Sequence, residues 1–149
     1  MQISLNKQPR LHLSAKHREI ITDIAIYLFV ALFMYTAASK FLTVKSFAST
    51  LAKSPLIGSY SLFVAWAIPT VEVLISLLLI VPAARKLGLY ASFALMLLFT
   101  GYLIYMVFSG VELPCHCGGV ISRMTWQQHI WFNMGFVALA IAGITADKK

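Results

Sequence analysis

Four apolar runs limit what this chain can fold into, and they cover residues 20–41, 61–81, 87–108 and 129–146. A helix of about 20 residues, rising 1.5 Å per residue, crosses the roughly 30 Å hydrocarbon core of a bilayer. A soluble domain of 149 residues cannot bury four such helices, and only 11% of the residues are charged. The sequence therefore predicts an all-α integral membrane protein, a four-helix bundle forming one transmembrane domain over residues 1–149.

The basic residues lie beside the apolar runs and predict the orientation of the chain. With four spans, both termini share a side with the turn at 82–86. That side holds eight basic residues and the other side holds four: Lys7, Arg10, Lys16, Arg18, Arg85, Lys86, Lys148 and Lys149, against Lys40, Lys45, Lys53 and Arg123. This excess predicts cytoplasmic termini, a cytoplasmic tail over 1–19 and an extracytoplasmic loop over 109–128. Dispersed basic residues without an aromatic-rich patch argue against nucleic acid as a partner, despite the net charge of +7.

The first apolar run has a competing interpretation as a cleaved signal peptide. Its basic lead is long, and its length of about 20 residues exceeds the usual apolar region of a signal. We therefore expect it to be a retained helix that contacts the lipid bilayer.

Both cysteines of the chain lie in the predicted extracytoplasmic loop. Cys115 and Cys117 flank His116, and two glycines follow. The thiolate is the form of cysteine that attacks disulfides and binds metals. It is favoured by cationic neighbours and by a helix N-terminus, and here His116, Arg123 and the start of the last helix supply both. An extracytoplasmic position also permits disulfides to persist.

Three uses of the cysteine pair remain open from the residues alone. A disulfide between Cys115 and Cys117 would close a very small, strained ring, and strained disulfides tend to be labile and oxidising. Such a ring also adds little stability, which favours thiol–disulfide exchange. A second possibility is a copper(I) or zinc site formed by the two thiolates with His116 or His129. The third is a structural or inert pair.

Two ionisable residues fall within or beside the apolar runs. Glu72 lies about midway along the second run, where a charge is unfavourable in lipid, and Pro69 precedes it by one turn. Glu72 is a candidate proton carrier or partner for a buried cation; alternatively it is protonated or bonds a neighbouring helix. Lys40 is a candidate partner, although a lone lysine at the end of a span typically extends toward the interface.

The last helix has a clear start and one polar face. Thr125 and Gln128 fit a capping box, in which each side chain bonds the backbone N–H of the other residue. Trp126, His129 and Asn133 then recur at i, i+3 and i+7 and share a helical face. That face either packs within the bundle or points at the Cys-His-Cys turn.

A short amphipathic helix is expected on the membrane surface over residues 45–53. Its apolar side chains Phe47 and Leu51, with Leu56 beyond them, should point inward.

Several of these elements, in this order, resemble the DoxX-like/MauE group over about residues 20–145. They are Ala-Ser-Lys-Phe ending at Phe41, Ile-Pro-Thr-Val-Glu ending at Glu72, Cys-His-Cys-Gly-Gly from Cys115, and the stretch from Met124 to Asn133. The cysteine pair points to the MauE branch. The resemblance implies a multi-pass protein of the bacterial inner membrane with a redox-linked role, and makes Cys115 and Cys117 the redox pair. MauE is associated with disulfide formation in a periplasmic dehydrogenase subunit during methylamine utilisation.

Two functional hypotheses follow. In the first, the chain is a membrane thiol–disulfide oxidoreductase, or its accessory, for a thioredoxin-like or other extracytoplasmic thiol protein. His116 and His129 would tune protonation and Glu72 would relay protons. Quinone-coupled disulfide formers use two cysteine pairs and this chain has one, so electrons pass directly to a quinone or stay among thiol partners. In the second, the chain is a non-catalytic assembly subunit that docks another membrane protein through Glu72 and small residues, in a homo- or hetero-oligomer.

Overall fold

A computed structural model describes residues 14–110 and 123–147, and every regular element in these ranges is helical. The helices are α1 (Ala15–Leu42), α2 (Val44–Ala52), α3 (Ser61–Ile80), α4 (Arg85–Phe108) and α5 (Trp126–Ala146), with a 3-10 turn at Gly58–Tyr60. Four of them, α1, α3, α4 and α5, are long and apolar enough to cross a membrane. The predicted all-α fold with four long apolar helices is confirmed.

Three of the four long helices begin earlier than their apolar runs, whereas α3 begins with its run at Ser61. α1 starts at Ala15, where the Ser14 hydroxyl accepts a hydrogen bond from the His17 backbone N–H, so the last five residues of the predicted tail are helical. α4 starts at Arg85 and α5 at Trp126. An apolar run marks the part of a helix that matches the hydrocarbon. The polar first turn lies outside the hydrocarbon, so a hydropathy pattern does not reveal that it is helical.

The four long helices form a ring in which α1 contacts α3 and α5, and α4 contacts the same two helices from the other side. Polar contacts fix the end of the bundle where α1 begins. The Arg18 side chain donates to the Ala146 carbonyl at the end of α5 (3.1 Å), and Arg85 pairs with Asp23 at 3.2 Å. α2 lies at the opposite end, against α3.

The half of the bundle nearest the chain ends is tightly packed. Phe29, Leu79 and Leu89 are fully buried there and belong to the main apolar cluster. Two glycines permit close helix approach: a Cβ at Gly88 would lie 2.9 Å from the Leu79 backbone nitrogen, and one at Gly143 would lie 3.1 Å from the Ala25 Cβ. This packing closes the end of the bundle that holds the start of α1 and the end of α5.

The surface of the bundle is apolar and its interior contains polar groups. Large side chains such as Phe63, Leu98 and Trp131 are at least 70% exposed. Ser76, Ser92 and other buried hydroxyls instead donate to carbonyls one turn earlier in their own helices. A soluble protein has a surface rich in polar side chains, whereas this surface is apolar, as expected of a chain whose surface contacts lipid.

The predicted amphipathic helix is confirmed as α2, but its apolar face contacts protein. Phe47 and Leu51 are buried and pack against Ala65 of α3. Leu56 lies beyond the helix and is 61% exposed, so its insertion into the membrane stays a prediction. α2 therefore covers the side of α3 at the end of the bundle where α1 terminates.

Replacing Gly88 should test the close contact between α3 and α4. Gly88→Ala inserts a methyl group against the Leu79 backbone, and we expect a loss of roughly 1–3 kcal/mol of unfolding free energy from overpacking. Thermal unfolding of the protein in detergent measures the effect. Gly101→Ala on the same helix is the control, because a Cβ there meets nothing within 4 Å. Equal midpoints for the two variants would contradict this packing.

Candidate functional site

A buried ion pair joins α1 to α3 inside the bundle. The Lys40 Nζ lies 2.7 Å from Glu72 Oε1, and the two side chains are 5% and 1% exposed. In a low-dielectric interior such a pair is far stronger than at a surface, and each charge depends on the other to offset its desolvation. The proposed partnership of these residues is confirmed.

The direction of Lys40 follows from its position on α1. Side chains on a helix tilt toward its N-terminus, and Lys40 lies in the last turn of α1. Its side chain therefore points back into the bundle rather than out to the interface. The interpretation of Lys40 as an anchor that extends to the interface is wrong for this reason.

The second oxygen of the Glu72 carboxylate has no donor among the described residues. Thr36 lies beside the carboxylate, but its hydroxyl donates to the Phe33 carbonyl of its own helix at 3.3 Å. Glu72 Oε2 is thus a buried acceptor without a hydrogen bond within residues 14–110 and 123–147. Leaving such a group unmatched typically costs about 1–3 kcal/mol, which points to a polar species that binds beside it.

A cavity of about 410 Å³ lies next to the ion pair, and both charged residues line it. Its other walls are mainly apolar and come from all five helices. They include the following side chains: Phe33, Leu51, Ile68, Met96, Phe99 and Phe132. Volumes of about 300–1,000 Å³ with few polar groups are typical of small-molecule sites.

The polar face of α5 lines the same cavity. Thr125 and Gln128 form the predicted capping box, with bonds of 3.3 and 3.1 Å. Trp126, His129 and Asn133 all border the cavity, and the last two are buried. The expectation that these three share a face is confirmed, and that face points into the bundle, toward the space beside Lys40 and Glu72.

The remaining predicted site residues are not brought into this cavity. Cys115, His116 and Cys117 lie outside the described residues. Arg123 is described and exposed, and does not line the cavity. Within the described ranges, no group of three or more His, Cys, Asp or Glu side chains forms a metal site.

Two residues that line the cavity, Phe99 and Tyr102, were not among the site residues predicted from the sequence. The Phe99 ring lies 5.8 Å below the Lys40 ammonium, a cation–π distance, and Tyr102 follows it one turn later. Both lie on α4, which has no charged residue after Lys86. The recurrence of Met96, Phe99 and Leu103 at i, i+3 and i+7 could have indicated one shared face.

Comparison with known proteins places this chain in a family. The sequence pattern of the family described as methylamine utilisation protein MauE matches residues 18–146. The chain belongs to the MauE family. The MauE resemblance is therefore confirmed, and the matched region contains α3, α4, α5, the cysteine pair and all but the first three residues of α1. A search of the curated proteins and of the solved structures found no match.

A double-mutant cycle should measure the ion pair of this MauE-family protein. Lys40→Met and Glu72→Met each leave one buried charge unmatched, and we expect each to lose about 3–5 kcal/mol of unfolding free energy. The double variant should be more stable than either single variant, because no lone charge remains. Lys45→Met, at an exposed lysine of α2, is the control. Additive losses in the double variant would show that the two groups do not interact.

Proposed function

We propose that this MauE-family membrane protein is a thiol–disulfide redox protein that assists disulfide formation in extracytoplasmic partners through Cys115 and Cys117. The observation that carries the proposal is the position of the cavity. It lies at the end of the bundle where α4 stops and α5 starts, and the cysteines belong to the segment between these two helices.

Chain length keeps the cysteines near that end. Cys115 follows Gly110 by five residues, so at most about 18 Å of extended chain separates them. His129, which borders the cavity, is twelve residues after Cys117 on the other side. His129 therefore lies at the end of the bundle to which the cysteine segment is attached, and we assign its imidazole a role in proton transfer to the thiols. His116 and Arg123 lie on the same segment and favour the thiolate.

The reaction is an exchange in which electrons balance between two proteins. A thiolate of the partner attacks one sulfur of the Cys115–Cys117 disulfide, forming a mixed disulfide and releasing the other sulfur as a thiolate. The second partner thiol then attacks the mixed disulfide. The partner ends with one new disulfide, and this protein ends as a dithiol. A thioredoxin-like domain is the kind of partner that presents such a thiol pair.

The proposed orientation places this exchange outside the cytoplasm of a bacterial inner membrane. Lys40 is buried in the ion pair and does not contribute to loop charge, so eight basic residues on the side of the termini face three on the other side. The contact of Arg18 with Ala146 also holds the start of α1 beside the end of α5.

One observation weighs against the alternative of an assembly subunit that docks through Glu72. The Glu72 side chain is 1% exposed and bonds Lys40 inside its own bundle, so no partner helix can reach it. Among the small residues, Gly88 and Gly143 contact their own chain, whereas Gly101 and Gly135 have open space beside them and are available to a partner helix. A copper or zinc site would have to rely on the cysteine segment itself.

Trapping of the mixed disulfide tests the proposed function. We expect the remaining thiolate of Cys115→Ser or Cys117→Ser, incubated with the oxidised partner, to attack the partner's disulfide in the reverse of the exchange. The partner-linked species should accumulate on non-reducing gels for one of the two variants, because the second thiol that would complete the exchange is gone. The double serine variant should trap nothing and should stop oxidation of the partner. Full partner oxidation by the double variant would refute a redox role for the pair.

Labelling in intact cells tests the orientation. A membrane-impermeant maleimide should modify reduced Cys115 and Cys117 from outside the inner membrane, with the double serine variant as the blank. Labelling that occurs only in inverted vesicles would place the thiols in the cytoplasm and contradict the proposed direction of the exchange.

A further inference from the structure

The cavity has walls that suit a flat ring. Phe99, Phe132 and Trp126 line it with aromatic side chains, and Met96 and Ile68 line it with aliphatic ones. Aromatic rings pack face to edge or in offset stacks, so this lining favours a planar ligand over a flexible chain. The ligand must also be lipophilic, because the cavity lies among helices that cross the hydrocarbon.

Lys40 and Glu72 line the cavity, and between them they can donate and accept hydrogen bonds to a ligand. The Lys40 ammonium has three N–H donors, and among the described residues one of them bonds Glu72 Oε1. Glu72 Oε2 accepts no hydrogen bond there. A matching ligand therefore carries an oxygen that can accept from Lys40 or a hydroxyl that can donate to Glu72, and a quinone and its hydroquinone supply these two groups in turn.

Charge balance selects a neutral ligand. Lys40 and Glu72 already compensate each other at 2.7 Å. An anionic lipid or fatty acid would bring a second carboxylate or phosphate beside Glu72, and like charges in a low-dielectric site repel strongly. A cationic ligand would meet the same objection from Lys40.

The cavity reaches the lipid-facing surface of the bundle. Leu98 of α4 lines it and is 70% exposed. A ligand with an apolar tail can therefore place its ring beside the ion pair and its tail in the bilayer.

We propose that the cavity binds the ring of a membrane quinone, with the Lys40 ammonium donating to a quinone carbonyl and Glu72 accepting from the hydroquinone hydroxyl. This inference rests on the proposed function for its redox role. Two thiols of reduced Cys115 and Cys117 lose two electrons and two protons as the S–S bond forms. The quinone gains both electrons, and each of its two oxygens gains one proton.

Fluorescence quenching tests the binding site without the cysteines. In the full chain carrying Trp66→Phe and Trp131→Phe, Trp126 is the remaining tryptophan. Decylubiquinone added to this protein in lipid nanodiscs should quench Trp126 saturably, and equally well when both cysteines are serine. Quenching that never saturates would overturn the site.

Variants at the ion pair test the assigned contact. Lys40→Met should weaken decylubiquinone binding at least tenfold. The double variant with Lys40→Met and Glu72→Met should weaken it to the same extent. This double variant has no lone buried charge, so it provides the test if the single variant folds poorly. Lys45→Met is the matched control and should bind as the parent does. Unchanged affinity in the folded double variant would overturn the role of Lys40.

Competitors test the class of ligand. Decylbenzene, which has an alkyl chain and ring but no carbonyl, should compete for the cavity at least tenfold more weakly than decylubiquinone. Oleate should compete no better than decylbenzene. Equal competition by either would show a general apolar or fatty-acid site and would overturn the assignment.

Quinone reduction separates this inference from the proposed function. The reduced parent protein should convert decylubiquinone to its hydroquinone, whereas the double serine variant should bind it without reducing it. Binding with no reduction by the parent would refute the thiol-to-quinone step and leave the binding site standing. Reduction and partner oxidation without saturable binding would refute the site and leave the thiol function standing.

Discussion

The Lys40–Glu72 ion pair is the interaction on which the rest of the structure depends. Neither charge is stable alone in a bundle surrounded by lipid, so each fixes the place of the other, and α1 is held to α3 at a defined height. Around the pair the helices are not packed tightly against one another, and the cavity lies between them there. At the opposite end, close contacts at Gly88 and Gly143 and the Asp23–Arg85 pair bring the same helices together.

The asymmetry between the two ends connects the fold to the proposed chemistry. The tightly packed end carries the chain termini and the excess of basic residues. The open end carries the start of α5, with Trp126, His129 and Asn133, and the attachment points of the cysteine segment. In the account proposed here, thiols react with a protein partner outside the bilayer and pass electrons inward to a quinone beside the ion pair. In this scheme one cysteine pair passes electrons directly to the quinone, so the second pair found in other quinone-coupled disulfide formers is not needed.

Much of the fold and part of the site were predictable from the sequence, for physical reasons. Hydropathy fixes helices that must match a bilayer, and helical spacing placed Trp126, His129 and Asn133 on one face. The direction of Lys40 was left between two alternatives, because a lone lysine near a helix end can extend to the interface or point inward, and only the tilt of its side chain at the C-terminal end of α1 decides between them. Phe99 was missed, since its role comes from a contact between α1 and α4 that a local sequence pattern does not encode. The extent of α2 was predicted to within one residue at each end, because its apolar residues recur at helical spacing.

Measurement of the Lys40–Glu72 separation in lipid tests the central claim most directly. Solid-state NMR of the protein in bilayers, with ¹⁵N at lysine Nζ and ¹³C at glutamate Cδ, detects whether an ammonium and a carboxylate are in contact. A strong lysine–glutamate dipolar coupling is predicted, and it should vanish in Glu72→Gln. Absence of that coupling in the parent protein, or its persistence in the variant, would contradict a bundle organised around this pair.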